Sequence, residues 1–248
     1  MPSIDLAHVT VSFPVFDGGG RSLKRRLMSA TTGGRIARDS DDQIAICALD
    51  DVSMAVGHGD RVGLIGHNGA GKTTLLRVMA GIYQPVAGTV RVVGRVVPIF
   101  DVSLGMDPDL NGYQNIQLRG MLLGLRKAEI LARMDEIAEF TELGSFLDMP
   151  LRTYSAGMRA RLALAVSTSI EPEILLLDEG IGAGDATFME KARRRLDDFV
   201  QNAGIFVLAS HTESFVRQTC NKAALLDHGR IVFFGTVDEA FDRYHSCP

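Results

Sequence analysis

Apolar residues alternate with polar ones over most of Ile4–Phe13 (IDLAHVTVSF), the pattern of a strand buried on one face. Strand-like runs bounded by glycine recur at Ala48–Ala55, Asp60–Ile65 and Thr89–Phe100, and helix-forming residues follow Lys72. From about Gly112 to Ser169 the spacing becomes helical (YQNIQLRGMLLGL, KAEILARMDEIAEF, then YSAGMRARLALA), which predicts an all-helical lobe. Strand signals return in EILLLD and GIFVLAS, with a helix around Thr187–Gln201 between them, and AALLDHGRIVFFG reads as a hairpin. Thr236 and Glu239 have the spacing of a capping box and predict a terminal helix. No internal repeat or low-complexity tract stands out.

Residues 17–46 interrupt this order. Glycines, charges and the lack of a sustained period mark them as an insert, and a connection of roughly 30 residues inside a domain is functional or mobile. Within RSLKRRLMSA, Leu23 and Leu27 share one helical face, and Arg21, Lys24, Arg25 and Arg26 spread around the remainder as a short basic amphipathic segment.

A chain of 248 residues can bury a large core, as one domain or two lobes. Its formal charge of −4 gives no overall basic excess, so a nucleic-acid partner is not expected. Cys47, Cys220 and Cys247 are too widely spaced for a disulfide framework or a cysteine zinc site. MPSIDLAHVTVSF lacks a positive segment followed by an apolar one, and no uncharged apolar run of membrane-spanning length occurs, so neither a secretory leader nor a membrane span is expected.

The candidate chemistry begins where RVGLI runs into Gly66–Thr73 (GHNGAGKT), which fits G-x-x-x-x-G-K-[ST] and continues as a helix. Gly66, Gly69 and Gly71 let the backbone curl into a nest of N–H groups at a helix start, a seat for phosphate. Lys72 supplies a mobile charge for the β- and γ-phosphates of a nucleotide, and the Thr73 hydroxyl a ligand for Mg²⁺. Asn68 inside the loop and Thr74 just after it are counted with the nucleotide-binding residues. The apolar run Ile174–Leu177 predicts a buried strand that ends in Asp178, a water-mediated Mg²⁺ ligand, and Glu179, the general base that orients the attacking water. Ser155 is a natural N-cap at a second helix start, and by itself such a start is weak evidence of an anion site.

In this order the motifs resemble the nucleotide-binding subunit of an ATP-binding-cassette (ABC) transporter. YSAGM stands in the place of the family's LSGGQ signature; Ala156 and Met158 depart from it, while Ser155 and Gly157 keep the hydroxyl and the close-approach position. Gly182 to Asp185 match the D-loop, with Asp185 its acidic residue, and His211 matches the switch histidine that contacts the γ-phosphate. Phe13 matches the aromatic residue that stacks on adenine, with Phe16 as the alternative. Asp101 falls where the family carries its Q-loop glutamine, and Gly180 stands where a proline usually follows the glutamate.

PIFDVSLGMDPDLNGYQNI and YSAGMRARLALAVS further resemble the subfamily that exports polysaccharides such as O-antigen, capsular polymer or teichoic acid. The resemblance implies an α/β fold of the P-loop NTPase, ABC ATPase type. Its mixed-sheet core would span about 1–110 and 170–248, with an antiparallel β subdomain, and a helical signature subdomain about 111–169. It also implies ATP and Mg²⁺, and a head-to-tail homodimer in which one chain's Ser155 helix faces the γ-phosphate held by the other. A separate transmembrane permease, a polysaccharide or lipid-linked glycan as cargo, and a peripheral position on the cytoplasmic face of the inner membrane follow from it. The extra carbohydrate-binding domain of some members is not expected. An ABC ATPase subunit for another substrate, or a soluble ABC ATPase, is the alternative.

Overall fold

The computed structural model describes residues 1–14, 36–38, 44–100, 105–178 and 186–246. Its strands are β1 (Ser3–Pro14), β2 (Ile36–Arg38), β3 (Ile44–Gly57), β4 (Arg61–Ile65), β5 (Ala87–Val93), β6 (Val96–Ile99), β7 (Ile174–Asp178), β8 (Ile205–Ala209), β9 (Lys222–Asp227) and β10 (Arg230–Thr236). Its helices are α1 (Lys72–Met79), α2 (Gly112–Leu122), α3 (Lys127–Ala132), α4 (Met134–Thr141), α5 (Ala156–Ser167), α6 (Ala186–Asn202), α7 (Glu213–Thr219) and α8 (Val237–Ser246). The fold is α/β and forms two compact units, one of Ser3–Val93 with Val207–Pro248 and one of Gly94–Phe206.

In the first unit an antiparallel sheet has the order β2-β3-β1-β5. Ile4, Leu6, Val9 and Val11 of β1 are buried, and so are their cross-strand partners Val56, Met54, Val52 and Leu49 on β3. The buried spacing slips from two to three between Leu6 and Val9, where the β1/β3 register also shifts. His8 (φ 52°) and Asp51 (φ 54°) take left-handed backbone at this bulge, and His8 Nδ1 lies 2.7 Å from Asp51 Oδ1. The bulge restores the inward side to Val9 and explains why the alternation of β1 is imperfect.

A second, mixed sheet contains β10-β9-β4-β8 in that order. β4 and β9 run parallel, from Val62 opposite Lys222 to Ile65 opposite Leu225, and both are nearly continuous buried apolar runs. β9 and β10 form the expected hairpin. Its central residues His228 (φ 45°) and Gly229 (φ 84°) both have positive φ, the turn that matches strand twist. Thr236 opens α8 as predicted: its hydroxyl donates to Glu239 Oε2 at 2.8 Å and accepts from the Glu239 N–H at 3.4 Å. Val237, Ala240 and Phe241 are the buried face of that helix.

The second unit holds the parallel pair β6 and β7, with Val96 opposite Ile174 and Ile99 opposite Leu177. Its helices follow the predicted helical stretch. Asn111 and Gln114 form a capping box at α2, each accepting the other's N–H at 2.9 Å. The buried Asn115 accepts from the Asp107 N–H at 2.8 Å and donates to the carbonyls of Asp107, Leu110 and Asn111, so one amide organises the turn before the helix. Ile116, Ile130 and Ile137 are fully buried, each contributing about 1.5–3 kcal/mol over exposure. From Leu162 to Ser167, α5 is buried on every side, as a central helix must be.

The single strand predicted over Thr89–Phe100 is two strands. β5 ends at Val93 and β6 begins at Val96, with Gly94 (φ 118°) turning the chain between the two units. β3 starts at Ile44, ahead of the predicted Ala48, and Ile36–Arg38 pairs with it through Ile46, Ala45 and Ile44, so strand structure reaches into 17–46. The basic segment around Leu23 and Leu27 lies outside the described residues. Among those described, no helix is long and apolar enough to cross a membrane.

Candidate functional site

The phosphate loop stands between β4, whose Val62, Leu64 and Ile65 are buried, and α1, whose Leu75, Leu76, Val78 and Met79 are buried. With both flanks anchored, residues 66–71 must turn the chain in the space left. Gly66 (φ 142°), Gly69 (φ 79°) and Gly71 (φ 109°) all take positive φ. At Gly66 a Cβ would lie 2.2 Å from the Leu226 carbonyl oxygen, so glycine is required there by space as well as by backbone angle. The Ala70 N–H donates to the His67 carbonyl at 3.0 Å, and the Gly229 N–H donates to the Ala70 carbonyl at 2.9 Å, tying the loop to the β9–β10 turn.

Lys72 is buried, and its ammonium donates to the carbonyls of Gly66 at 2.7 Å and His67 at 3.1 Å. The loop therefore carries its own cation. The first turn of α1 has no acidic side chain to oppose the positive helix end. Thr73 is exposed beside it, Thr74 is half-buried, and Asn68 and Gly69 are exposed at the loop's crest. Backbone donors, a cation and a hydroxyl meeting in one turn constitute a seat for a polyphosphate.

Phe13, near the end of β1, is 37% exposed. Its ring meets Tyr83 edge to face, with centroids 5.1 Å apart, and the Tyr83 hydroxyl accepts from Arg77 at 3.0 Å. Phe13 thus has one rigid aromatic neighbour and a partly open ring, suited to stacking on a flat base. Phe16 lies outside the described residues.

His211 follows β8 and is exposed in the turn to α7. The preceding Ser210 is buried and donates its N–H to the Leu64 carbonyl of β4 at 3.5 Å, so the strand that delivers His211 borders the one that feeds the loop. In the other unit Asp178 ends β7 half-buried, after Ile174, Leu175, Leu176 and Leu177, all buried.

Ser155 caps α5, its Oγ accepting the Met158 N–H at 3.2 Å, and the first turn contains no acidic residue. Ser155 is exposed and Gly157 half-buried. Tyr154 sets the helix entry. It is buried and its hydroxyl donates to the Phe146 carbonyl at 2.6 Å. Burial, with Asp148 and Tyr113 nearby, pushes this phenol up to about 12.

The structure thus places Phe13, the loop and His211 in one unit, and Asp178 with the Ser155 and Gly157 helix start in the other. Asp101, Glu179, Gly180, Gly182 and Asp185 lie outside the described residues. Three neighbours escaped the sequence reading: Tyr83, whose aromatic character alone was the available signal, and Asp227 and His228 beside the loop.

The ABC transporter family is matched over residues 49–182. The chain is 47% identical over 231 residues to the O-antigen export system ATP-binding protein RfbE of Yersinia enterocolitica, covering 93% of this chain and 97% of that protein. It is 36% identical to the O-antigen export system ATP-binding protein RfbB of Klebsiella pneumoniae, covering 98% and 97%. Among solved structures, an ATP-binding subunit of an ABC transporter superposes with a TM-score of 0.68 at 21% identity, covering 98% of this chain and 93% of the other.

Proposed function

The chain belongs to the ABC transporter family, and on that premise we propose that it is the ATP-hydrolysing subunit of an exporter for a polysaccharide of the O-antigen type. The observation that supports this cargo is the 47% identity to an O-antigen export subunit over nearly the full length of both chains. In this reading two copies associate head to tail on a separate transmembrane permease, at the cytoplasmic face of the inner membrane, and the cargo is a polysaccharide or lipid-linked glycan.

Each residue then has a task in hydrolysis. Phe13 stacks on adenine. The N–H groups of Asn68, Gly69 and Gly71, together with Lys72 and Thr74, hold the phosphates, and Lys72 stabilises charge that moves toward the β–γ bridging oxygen as the bond breaks. Glu179 accepts a proton from the attacking water and orients it, and His211 hydrogen-bonds the γ-phosphate. Ser155 and Gly157 of the second copy close over that phosphate, with Asp185 near the junction. Release of inorganic phosphate removes the bridge between copies and lets them part.

The hydroxyl of Thr73 and the carboxylates of Asp178 and Asp101 are hard oxygen donors, the class that fits Mg²⁺, and exposed Thr73 is accessible for that purpose. Bound there, Mg²⁺ would neutralise phosphate charge.

The test is to express the chain with its permease in cells that make the polymer but lack their own cassette. Surface polymer should appear with the parent protein and stay inside with Lys72→Ala. Surface polymer at parental level with Lys72→Ala would defeat the proposal.

A further inference from the structure

We propose that His67, Asp227 and His228 form a binding site for a divalent transition-metal ion of the zinc class, separate from the magnesium that accompanies nucleotide. His67, Asp227 and His228 form one cluster in which one donor atom from each residue lies within 4.8 Å of the others. His67 Nε2 is 3.1 Å and His228 Nε2 is 3.8 Å from the same Asp227 oxygen. Ligands about 2.0–2.2 Å from a tetrahedral zinc stand roughly 3.3 Å apart, so His67 already has this spacing from the Asp227 oxygen and His228 is close to it.

The hydrogen bonding of His67 points to a cation. Its Nδ1 lies 2.8 Å from the Asn68 carbonyl oxygen, which can only accept, so Nδ1 carries a proton. In the neutral ring Nε2 then holds a lone pair, and that lone pair faces a carboxylate oxygen at 3.1 Å. Two acceptors in contact are reconciled by a positive charge between them. A metal ion supplies it, with the Nδ1–H bond acting as the second-shell contact that orients metal-binding histidines. A second proton on His67 would satisfy the same contact, and the experiment below separates the two.

The frame is built by backbone. Gly229 N–H to Ala70 carbonyl, at 2.9 Å, joins the two loops that carry the ligands, and the close approach of Gly66 to Leu226 fixes their other end. His228 and Gly229 occupy a turn with both φ angles positive, a place where asparagine and glycine are more usual. Imidazole nitrogens favour zinc, copper or nickel over magnesium, so Mg²⁺ is not a competitor. With three protein ligands, the fourth position falls to water. An ion held here clasps the phosphate loop to the hairpin and stiffens it.

Full-length protein is stripped of metal with a chelator, exchanged into chelator-free buffer near neutral pH, and titrated calorimetrically with zinc chloride. One zinc per chain is expected, with melting temperature rising as zinc is added. Affinity should fall roughly tenfold or more in Asp227→Asn and in His228→Asn; the second suits the left-handed turn, so its fold, checked by circular dichroism, is retained. Cobalt(II) should give the visible spectrum of a low-coordinate site without a thiolate charge-transfer band, which excludes the cysteines. Absence of one-to-one zinc binding, binding undiminished in both variants, or a thiolate band would overturn the proposal. A protonated His67 paired with Asp227 and no zinc uptake would do the same.

Discussion

The ammonium of Lys72 donates to the carbonyl oxygen of Gly66 at 2.7 Å, so the lysine of the phosphate loop is bound back to the residue that opens it. The bond closes the turn around the space a phosphate would occupy and holds the buried charge ready. Lys72→Ala is expected to lower ATP hydrolysis by at least about 10²-fold, the scale of removing a charge-stabilising donor. Lys72→Arg should recover little, because a planar guanidinium cannot act as a compact point charge in the same turn. Steady-state ATPase assays and binding of a fluorescent nucleotide measure both.

Glu179→Gln should bind Mg-ATP through Lys72, Thr73 and Asp178 yet fail to take the proton from water. The ATP-bound pair then accumulates, and size-exclusion chromatography with Mg-ATP should move the protein from monomer to dimer. Hydrolysis at the parental rate would mean another residue is the base.

Each complete nucleotide site is expected to draw on two chains. A Lys72→Ala chain keeps its Ser155 helix start, and a Ser155→Arg chain keeps its phosphate loop. Mixing the two inactive proteins should restore part of the activity, one competent site per mixed pair. Mixed pairs that are shown to form but stay inactive would sink the composite site.

Tyr154→Phe leaves the Phe146 carbonyl without its 2.6 Å donor and should cost about 1–2 kcal/mol of stability. Folding raises this phenol from its ordinary 10.0 to about 12, so the fold prefers the protonated form. Its contribution is complete below about pH 10 and is lost as pH climbs from there to about 12. Alkaline thermal melts should fall less steeply in that window for Tyr154→Phe than for the parent.

Gly66→Ala drives a methyl against the Leu226 carbonyl at a backbone angle alanine resists. The expected cost is about 2–4 kcal/mol. Nucleotide binding should be lost even at temperatures where circular dichroism still reports a folded chain.

Much of the architecture is legible in the chain. The phosphate loop announces itself because glycine, lysine and threonine there obey local rules, and the half-buried strands and the Thr236 cap do likewise. What escapes is set by distant partners. Valine pairs stand on both sides of Gly94-Arg95, so nothing local says that the two halves enter different units. Ile44–Cys47 lacks alternation, and pairing with β1 on one side and β2 on the other makes it strand. His67 looks like an indifferent position inside a motif; its neighbour Asp227 stands 160 residues away. The roles that the resemblance implies for Ser155 and His211 rest on motif order, since a serine cap and a loop histidine carry no function by themselves.

The bond from Gly229 to Ala70 has a meaning for biosynthesis. The phosphate loop is translated before the hairpin that braces it at Gly66 and Ala70, more than 150 residues later in the chain. Such a long-range contact forms late. A nascent chain halted before Lys222 should therefore carry an intact loop sequence with no firm cradle, and should bind nucleotide only weakly.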